Sequence, residues 1–291
     1  MDFNSETLNI HRNSSVYYVT FPSFEKTGLV KHLYSTRRGG VSTGYFGPMN
    51  LGFTRGDDRF AVIENFRRIS YVTGIYPGDM VFSDQVHGDK ILYVDQQDRG
   101  KGIYSPKEMR GVDGLITDKS KVCLVTFYAD CVPLFFLDPV KKVIGLAHAG
   151  WRGTVLEIGR KMVERFCKDF GSKPGDILAG IGPSIGPCCF EVGQDVEGEF
   201  AAAFPAWRDM IIRPAETPGK SYVDLWTTNR LILEKAGVRP EHITVTDLCT
   251  KCHDEYFHSH RRMGNERGTQ AAFLATRSYH PAMLILYSQT P

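Results

Sequence analysis

Residues 128–136 read Tyr-Ala-Asp-Cys-Val-Pro-Leu-Phe-Phe, and after a turn residues 146–154 read Leu-Ala-His-Ala-Gly-Trp-Arg-Gly-Thr. Both stretches carry apolar runs bounded by turn residues, the pattern of strands buried on both faces. Each run breaks at a reactive side chain, Cys131 in the first and His148 in the second. A thiol beside the Asp130 carboxylate at the end of a buried strand is the feature around which the remaining sequence is read.

Outward from this pair, short β-branched or aromatic runs predict strands over Val16–Phe21, Val30–Ser35, Met80–Gln85, Lys90–Val94, Gly114–Thr117 and Val122–Phe127. Further runs predict strands at Leu134–Leu137, Val143–His148, Asp176–Ile181, Ile243–Asp247 and Gln270–Ala275. Helical spacing appears in Asp58–Val72, where Phe60, Ile63, Phe66 and Ile69 share a face, and again in Thr154–Phe170, Asp195–Phe204 and Asp224–Ala236. Strands following strands with helices inserted between some of them predict an α+β fold with mixed sheets. The Gly-rich turn that a doubly wound nucleotide fold needs after its first strand is missing. With no internal repeat and no low-complexity linker, one domain over residues 1–291 is expected, with residues 1–20 at its periphery.

The 291 residues carry a net charge of +2 with acids and bases intermixed, which leaves no electrostatic footprint for nucleic acid or an anionic membrane. A small ligand is the expected partner. The amino terminus, Met-Asp-Phe-Asn-Ser-Glu-Thr, lacks the basic and apolar regions of a signal peptide, and no apolar run approaches the roughly 18 residues that span a bilayer. A cytoplasmic location follows as an expectation. Seven cysteines at irregular spacing fit reduced thiols better than a disulfide framework there.

Four places combine a predicted strand end with polar side chains: Thr36-Arg37-Arg38-Gly39-Gly40, Ser83-Asp84-Gln85-Val86-His87-Gly88, Ala129-Asp130-Cys131, and Ala147-His148-Ala149-Gly150-Trp151-Arg152-Gly153. Two imidazoles and one thiolate, His87, His148 and Cys131, make a zinc shell with an open fourth position, and Asp130 stands beside it as a supporting group or proton acceptor. On spacing alone, core packing of the cysteine and hydrogen-bonded structural roles for the histidines are the more usual reading of the same residues. Arg37 and Arg152 read either as oxyanion ligands or as structural clamps on carbonyls. Cys249-Thr250-Lys251-Cys252-His253 has the spacing of haem attachment or half a zinc site, and reads as a surface loop; the vicinal Cys188 and Cys189 read as packing.

The motifs Thr36-Arg37-Arg38-Gly39-Gly40-Val41-Ser42, Asn50-Leu51-Gly52, Gln85-Val86-His87-Gly88, Asp113-Gly114, Ala129-Asp130-Cys131, Ala147–Gly153 and Gly182-Pro183, in this order, resemble the YfiH/YlmD family, which includes the mammalian laccase-domain protein. The resemblance implies an α+β sandwich of two mixed sheets flanked by helices. It also implies phosphorolysis of adenosine, inosine, guanosine and methylthioadenosine, together with deamination of adenosine. It places the metal on His87, Cys131 and His148, with Zn2+ expected and Cu2+ an alternative. On this reading Cys131, Asp130, Arg37 and Arg152 are catalytic, and Asn50, Gln85, Arg37 and Arg152 contact a purine nucleoside and phosphate. A homodimer is the protein assembly expected.

The chain departs from the family at Arg267-Gly268-Thr269-Gln270-Ala271, where Thr269 replaces the usual arginine and Arg267 stands in reach as a substitute. Two rival activities remain. Cys131 with His148 as base would make a cysteine hydrolase. A copper-binding polyphenol oxidase is the other, although a true multicopper enzyme needs several His-X-His pairs and the nine histidines supply one, His258 and His260.

Overall fold

A computed structural model describes residues 3–106 and 110–277. Its strands in chain order are β1 (Asn9–Asn13), β2 (Val16–Thr20), β3 (Val30–Ser35), β4 (Met80–Phe82), β5 (Ile91–Tyr93), β6 (Gly114–Thr117), β7 (Cys123–Tyr128), β8 (Val132–Asp138), β9 (Val143–Ala149), β10 (Leu178–Ile181), β11 (Glu191–Gly193), β12 (Ile212–Pro214), β13 (Lys220–Val223), β14 (Ile243–Val245) and β15 (Gln270–Thr276). The helices are α1 (Pro22–Thr27), α2 (Arg59–Thr73), α3 (Trp151–Val155), α4 (Ile158–Phe170), α5 (Gln194–Ala203), α6 (Arg208–Ile211), α7 (Leu225–Lys235) and α8 (His260–Met263).

One sheet runs β1-β2-β3-β15-β7-β4 and a second β14-β10-β8-β9-β6-β5, with a small β11-β13-β12 sheet beside them. Both large sheets are mixed: β4–β7, β5–β6 and β10–β14 pair in parallel and the other pairs are antiparallel. The expected α+β sandwich of two mixed sheets flanked by helices is what forms.

The period of two along a strand explains why β7, β8 and β9 read as continuous apolar runs. Phe135 and Leu137 of β8 and Ile144 and Leu146 of β9 meet Leu124, Tyr128 and Leu274 of the first sheet between the two layers. Leu134, Phe136 and Ala147 point the other way, onto Met162, Phe166 and Ile232 of α4 and α7. Gly145 sits opposite Phe136, and a Cβ there would stand 3.0 Å from Met162 Sδ and from Phe166, so its absence lets α4 settle on the sheet. On the far side α2 covers Leu33, Val125 and Phe273. Each buried aromatic in these layers contributes about 1.5–3 kcal/mol relative to exposure.

Every predicted strand is present, but some expectations need correction. The α2 face that enters the core is Val62, Phe66 and Ile69; Phe60, expected on it, is 81% exposed. The helix expected over Thr154–Phe170 is two, α3 and α4, separated at Glu157, whose φ of 54° interrupts the helical path. Strands β1, β11, β12 and β13 were not foreseen. Residues 3–20 supply the two outer strands of the first sheet, and Phe3 stacks on Tyr256 with ring centroids 4.1 Å apart.

Candidate active site

The functional side chains stand where the chain crosses between sheets. His87 lies on the segment from β4 of the first sheet to β5 of the second, and Cys131 on the tight link from β7 of the first to β8 of the second. His148 is on β9, alongside β8. These crossings bring one sulfur and two ring nitrogens to within 4.8 Å of one another. The His87 and His148 rings stand nearly perpendicular, with centroids 4.9 Å apart.

Asp113, at the head of β6, organises this arrangement. Its carboxylate accepts the backbone N–H groups of Val86, His87 and Gly88 at 3.1, 3.0 and 2.9 Å, and sits 2.8 Å from His148 Nδ1. The bond at Nδ1 leaves His148 Nε2 for an ion, the carboxylate–histidine pairing common behind metal ligands. Gly150 closes the back of the triple: a Cβ on it would stand 3.0 Å from His87 Cδ2 and 3.1 Å from Cys131 Sγ.

Two non-glycine residues here hold positive φ, His87 at 63° and Asp130 at 88°. Such conformations cost about 1–3 kcal/mol each and persist where surrounding contacts enforce them. Asp113 does so for His87. For Asp130 the enforcement comes from its own oxygens, which accept from Thr250 Oγ1 and from the Arg261 backbone N–H, both at 2.6 Å.

Burial opposes ionisation of the Cys131 thiol, yet the His148 and His87 rings facing it prevail and pull it down to about 6. Burial likewise opposes charge on His148, and the Cys131 thiolate with Asp113 pushes it up to about 9. Desolvation also works against the Asp113 carboxylate, but His148 and the three amides hold it below its usual range. The two shifts describe one thiolate–imidazolium pair, so an ion taking the thiolate would displace the His148 proton as it binds. Two imidazoles and a thiolate with one side facing open space suit a catalytic zinc-type ion, and the bonded Nδ1 of His148 and the bare Gly150 fit that use.

Two clefts meet at His87 and Cys131. The first, of about 280 Å³, is walled by Phe53, Arg55, Gln85, Phe127, Arg267 and Thr269. The second, of about 470 Å³, is walled by Trp151, Arg152, Ile185, Phe190, Val192 and Arg261. The Arg152 guanidinium lies 4.2 Å from the centre of the Trp151 ring.

Not every expected residue arrives. Arg37 lines neither cleft; its guanidinium donates to the carbonyls of Gly47 and Asp254, both at 2.9 Å, so it clamps loops together. Asn50 is fully buried, its amide bonded to Gly52, Asp57 and the Thr269 N–H, which leaves no face for a substrate. Gln85 lines the first cleft, with its amide oxygen and nitrogen each 2.7 Å from the backbone of Phe127. Asp130 is an anchor for Thr250 and Arg261 as well as the ligand's neighbour.

Sequence reasoning missed Asp113 as an orienting residue, although an acid opening a buried strand was the available signal. It also left Arg267 as no more than a stand-in. Arg267 is 6% exposed, its Nη1 donates to Gly268, and its buried Nε has no partner among the described residues. Burial and the neighbouring Arg55 push its guanidinium down to about 10. A buried cation with an unpartnered N–H in a cleft calls for an anion.

Comparison with known proteins places this geometry. Residues 31–277 match the family described as multi-copper polyphenol oxidoreductase laccase. The purine nucleoside phosphorylase YlmD of Bacillus subtilis (strain 168) is 39% identical over 249 residues, 84% of this chain and 87% of that one. Adenosine deaminase RL5, from an unknown prokaryotic organism, is 34% identical over 238 residues, 81% of this chain and 90% of the other. The crystal structure of the hypothetical protein YfiH of Bacillus licheniformis superposes with a TM-score of 0.87 at 32% identity, covering 94% of this chain and 100% of that one. Sequence, backbone and the arrangement of motifs agree, and the chain belongs to the YfiH/YlmD family.

Proposed function

We propose that this chain is a purine nucleoside phosphorylase, acting on adenosine, inosine, guanosine and methylthioadenosine, that also deaminates adenosine with the aid of zinc. The observation that carries the reading is the convergence of His87, Cys131 and His148 where two clefts of different character meet. The names of the relatives YlmD and RL5 support the two reactions.

The second cleft offers apolar walls and flat surfaces to a purine and its ribose, and its volume falls within the range of small-ligand sites. Arg267 and Arg55 in the first cleft suit phosphate, a role first given to Arg37 and Arg152, of which Arg37 lines neither cleft. In phosphorolysis a phosphate oxygen bonds to ribose C1′ as the C1′–N9 bond breaks, and the base departs with the electron pair and takes up a proton. Fixing both reactants against one another is the main contribution of the two walls. An ion held by His87, Cys131 and His148 supplies Lewis acidity for deamination. Copper suits the same donors, but this cluster offers three ligands, too few for several coppers, and the other converging group is four cysteines with no histidine. The proposed partners are nucleoside and phosphate, with neither nucleic acid nor membrane; among the described residues no helix is long and apolar enough to cross a bilayer. We place the reaction in the cytoplasm.

The test is incubation of purified protein with adenosine, with and without phosphate, followed by chromatography. Adenine and ribose phosphate should form only with phosphate, and inosine should form in both. Neither product from metal-replete protein would sink the proposal.

One observation favours a second reading. A thiolate facing His148, itself bonded to Asp113, has the parts of a cysteine nucleophile with an oriented base. Alkylation of Cys131 that substrate blocks and a chelator leaves unchanged would favour a hydrolase; acceleration by chelator would favour ligation.

A further inference from the structure

The sequence gives no reason to connect the vicinal pair Cys188-Cys189 with Cys249 and Cys252. The fold does. The four sulfurs lie within 4.8 Å of one another, and Thr250, between Cys249 and Cys252, donates to Asp130 beside the other centre. Cys252 Sγ stands 3.6 Å from Cys188 Sγ and 3.4 Å from Cys189 Sγ. Four thiolates bound tetrahedrally at about 2.3 Å have edges of about 3.8 Å.

The local backbone is shaped for this approach. One turn is closed by Cys189 N–H donating to Gly186 O at 2.9 Å, the other by His253 N–H donating to Cys249 O at 3.0 Å. A parallel bridge between Ser184 and Cys249 sets the turns side by side, and Trp226 Nε1 fixes Ser184 through its hydroxyl at 2.7 Å. Gly186 is needed at the contact, since a Cβ there would stand 2.9 Å from Trp226 and 3.2 Å from Cys249 Cβ.

Two further features point to a bound ion. The Cys249 sulfur accepts the Gly186 backbone N–H at 3.2 Å. An amide donating to a sulfur within a Cys-X-X-Cys turn stabilises thiolate charge. The guanidinium groups of Arg213 and Arg261 donate to the carbonyls of Pro187 and Cys189, which brings positive charge to a cluster that carries excess negative charge once an ion is bound. His253, the histidine of the haem-like spacing, instead bonds through Nδ1 to Cys249 O at 3.0 Å. Its ring nitrogens are not among the atoms that converge there, where the four sulfurs stand by themselves.

We propose that Cys188, Cys189, Cys249 and Cys252 form a tetrathiolate site for one zinc-type ion, structural in role and separate from the catalytic centre. Four sulfurs with no open position leave no place for substrate. The ion ties together two segments 63 residues apart in sequence. One segment carries Thr250 and leads to Arg261, the two partners of Asp130; the other supplies Ile185, Phe190 and Val192 to the second cleft. The site therefore fixes the wall of that cleft relative to the ligand loop.

The experiment is metal counting on full-length protein purified under reducing conditions and supplied with zinc, independent of any turnover. Wild type should hold two zinc per chain, Cys252→Ser one, Cys131→Ala one, and the double variant none. With Co2+ as probe, Cys131→Ala should keep the intense thiolate-to-cobalt absorption of a four-sulfur site and Cys252→Ser should lose most of it. Equal zinc in wild type and Cys252→Ser would overturn the proposal. So would disulfides among the four cysteines in alkylated, protease-digested wild type, or absence of the four-sulfur cobalt spectrum in Cys131→Ala, which serves if Cys252→Ser does not fold.

Discussion

His148 Nδ1 lies 2.8 Å from Asp113 Oδ1, and both side chains are buried, so the orientation of the His148 ring on β9 is set by an acid immediately before the neighbouring strand β6. The same carboxylate holds the amides around His87. Asp113→Asn keeps the shape but removes the charge and part of the acceptor capacity. Metal affinity should fall about 10- to 100-fold, the usual effect of losing a partner behind a ligand. Zinc competition against a chromophoric chelator measures it, and unchanged affinity would show that Asp113 does not orient the site.

Gly150→Ala tests the closeness of the triple from behind. The backbone at Gly150 has φ −62° and ψ 173°, open to any residue, so the added methyl acts through space alone. It meets His87 and Cys131 at 3.0 and 3.1 Å. The variant should keep a wild-type circular dichroism spectrum and lose the catalytic ion. Full metal content with normal deamination would count against the geometry.

Arg267→Ala removes the buried cation of the first cleft. Charge-assisted bonds contribute about 1.5–3 kcal/mol, so phosphate affinity should drop roughly 10- to 100-fold. The change should appear in KM for phosphate during phosphorolysis while deamination proceeds at its former rate. A fall in both activities alike would assign Arg267 to general structure.

His32 predicts a pH dependence of stability. Burial lowers its pKa to about 4, against the opposing charge of Glu25, and its Nε2 accepts the Phe21 N–H at 2.8 Å, a bond open only to the neutral ring. The unfolded chain protonates this histidine near pH 6.5. Between pH 6.5 and 4 the unfolded state therefore binds the extra proton. The stabilisation is complete above 6.5 and declines as pH falls toward 4, by about 3 kcal/mol in all. Urea midpoints should decline over this window in wild type and less steeply in His32→Gln; parallel curves would refute the assignment.

On α2, Phe66→Ala should cost about 3–5 kcal/mol, and Phe60→Ser should stay within about 0.5 kcal/mol. Chemical denaturation separates them, since Phe66 is fully buried and Phe60 is 81% exposed.

Strand positions were legible because β7, β8 and β9 bury both faces and so read as unbroken apolar runs. The α2 face was misjudged because residues spaced strictly by three drift around a helix of 3.6 residues per turn, which carried the reading from Ile69 and Phe66 out to Phe60. The convergence of His87, Cys131 and His148 was expected from the motifs, whereas the side chain behind it was not: Asp113 reaches His148 across a strand pair 35 residues apart in sequence. Arg37 and Asn50 looked functional because glycines and polar neighbours surround them, but those neighbours consume their hydrogen bonds. The four-cysteine cluster was hidden by distance along the chain, because Cys188 and Cys252 meet only after β10 and β14 have paired.

Since His87 and Cys131 ride on segments that pass from one sheet to the other, neither sheet alone can bring the proposed ligands together. Occupancy of the proposed centre would therefore report docking of the two layers. During refolding, a metal-sensitive signal from Cys131 should rise no sooner than the burial of the interface between Leu124 and Leu146, which makes the ion a clock for the last tertiary step rather than a seed for the first.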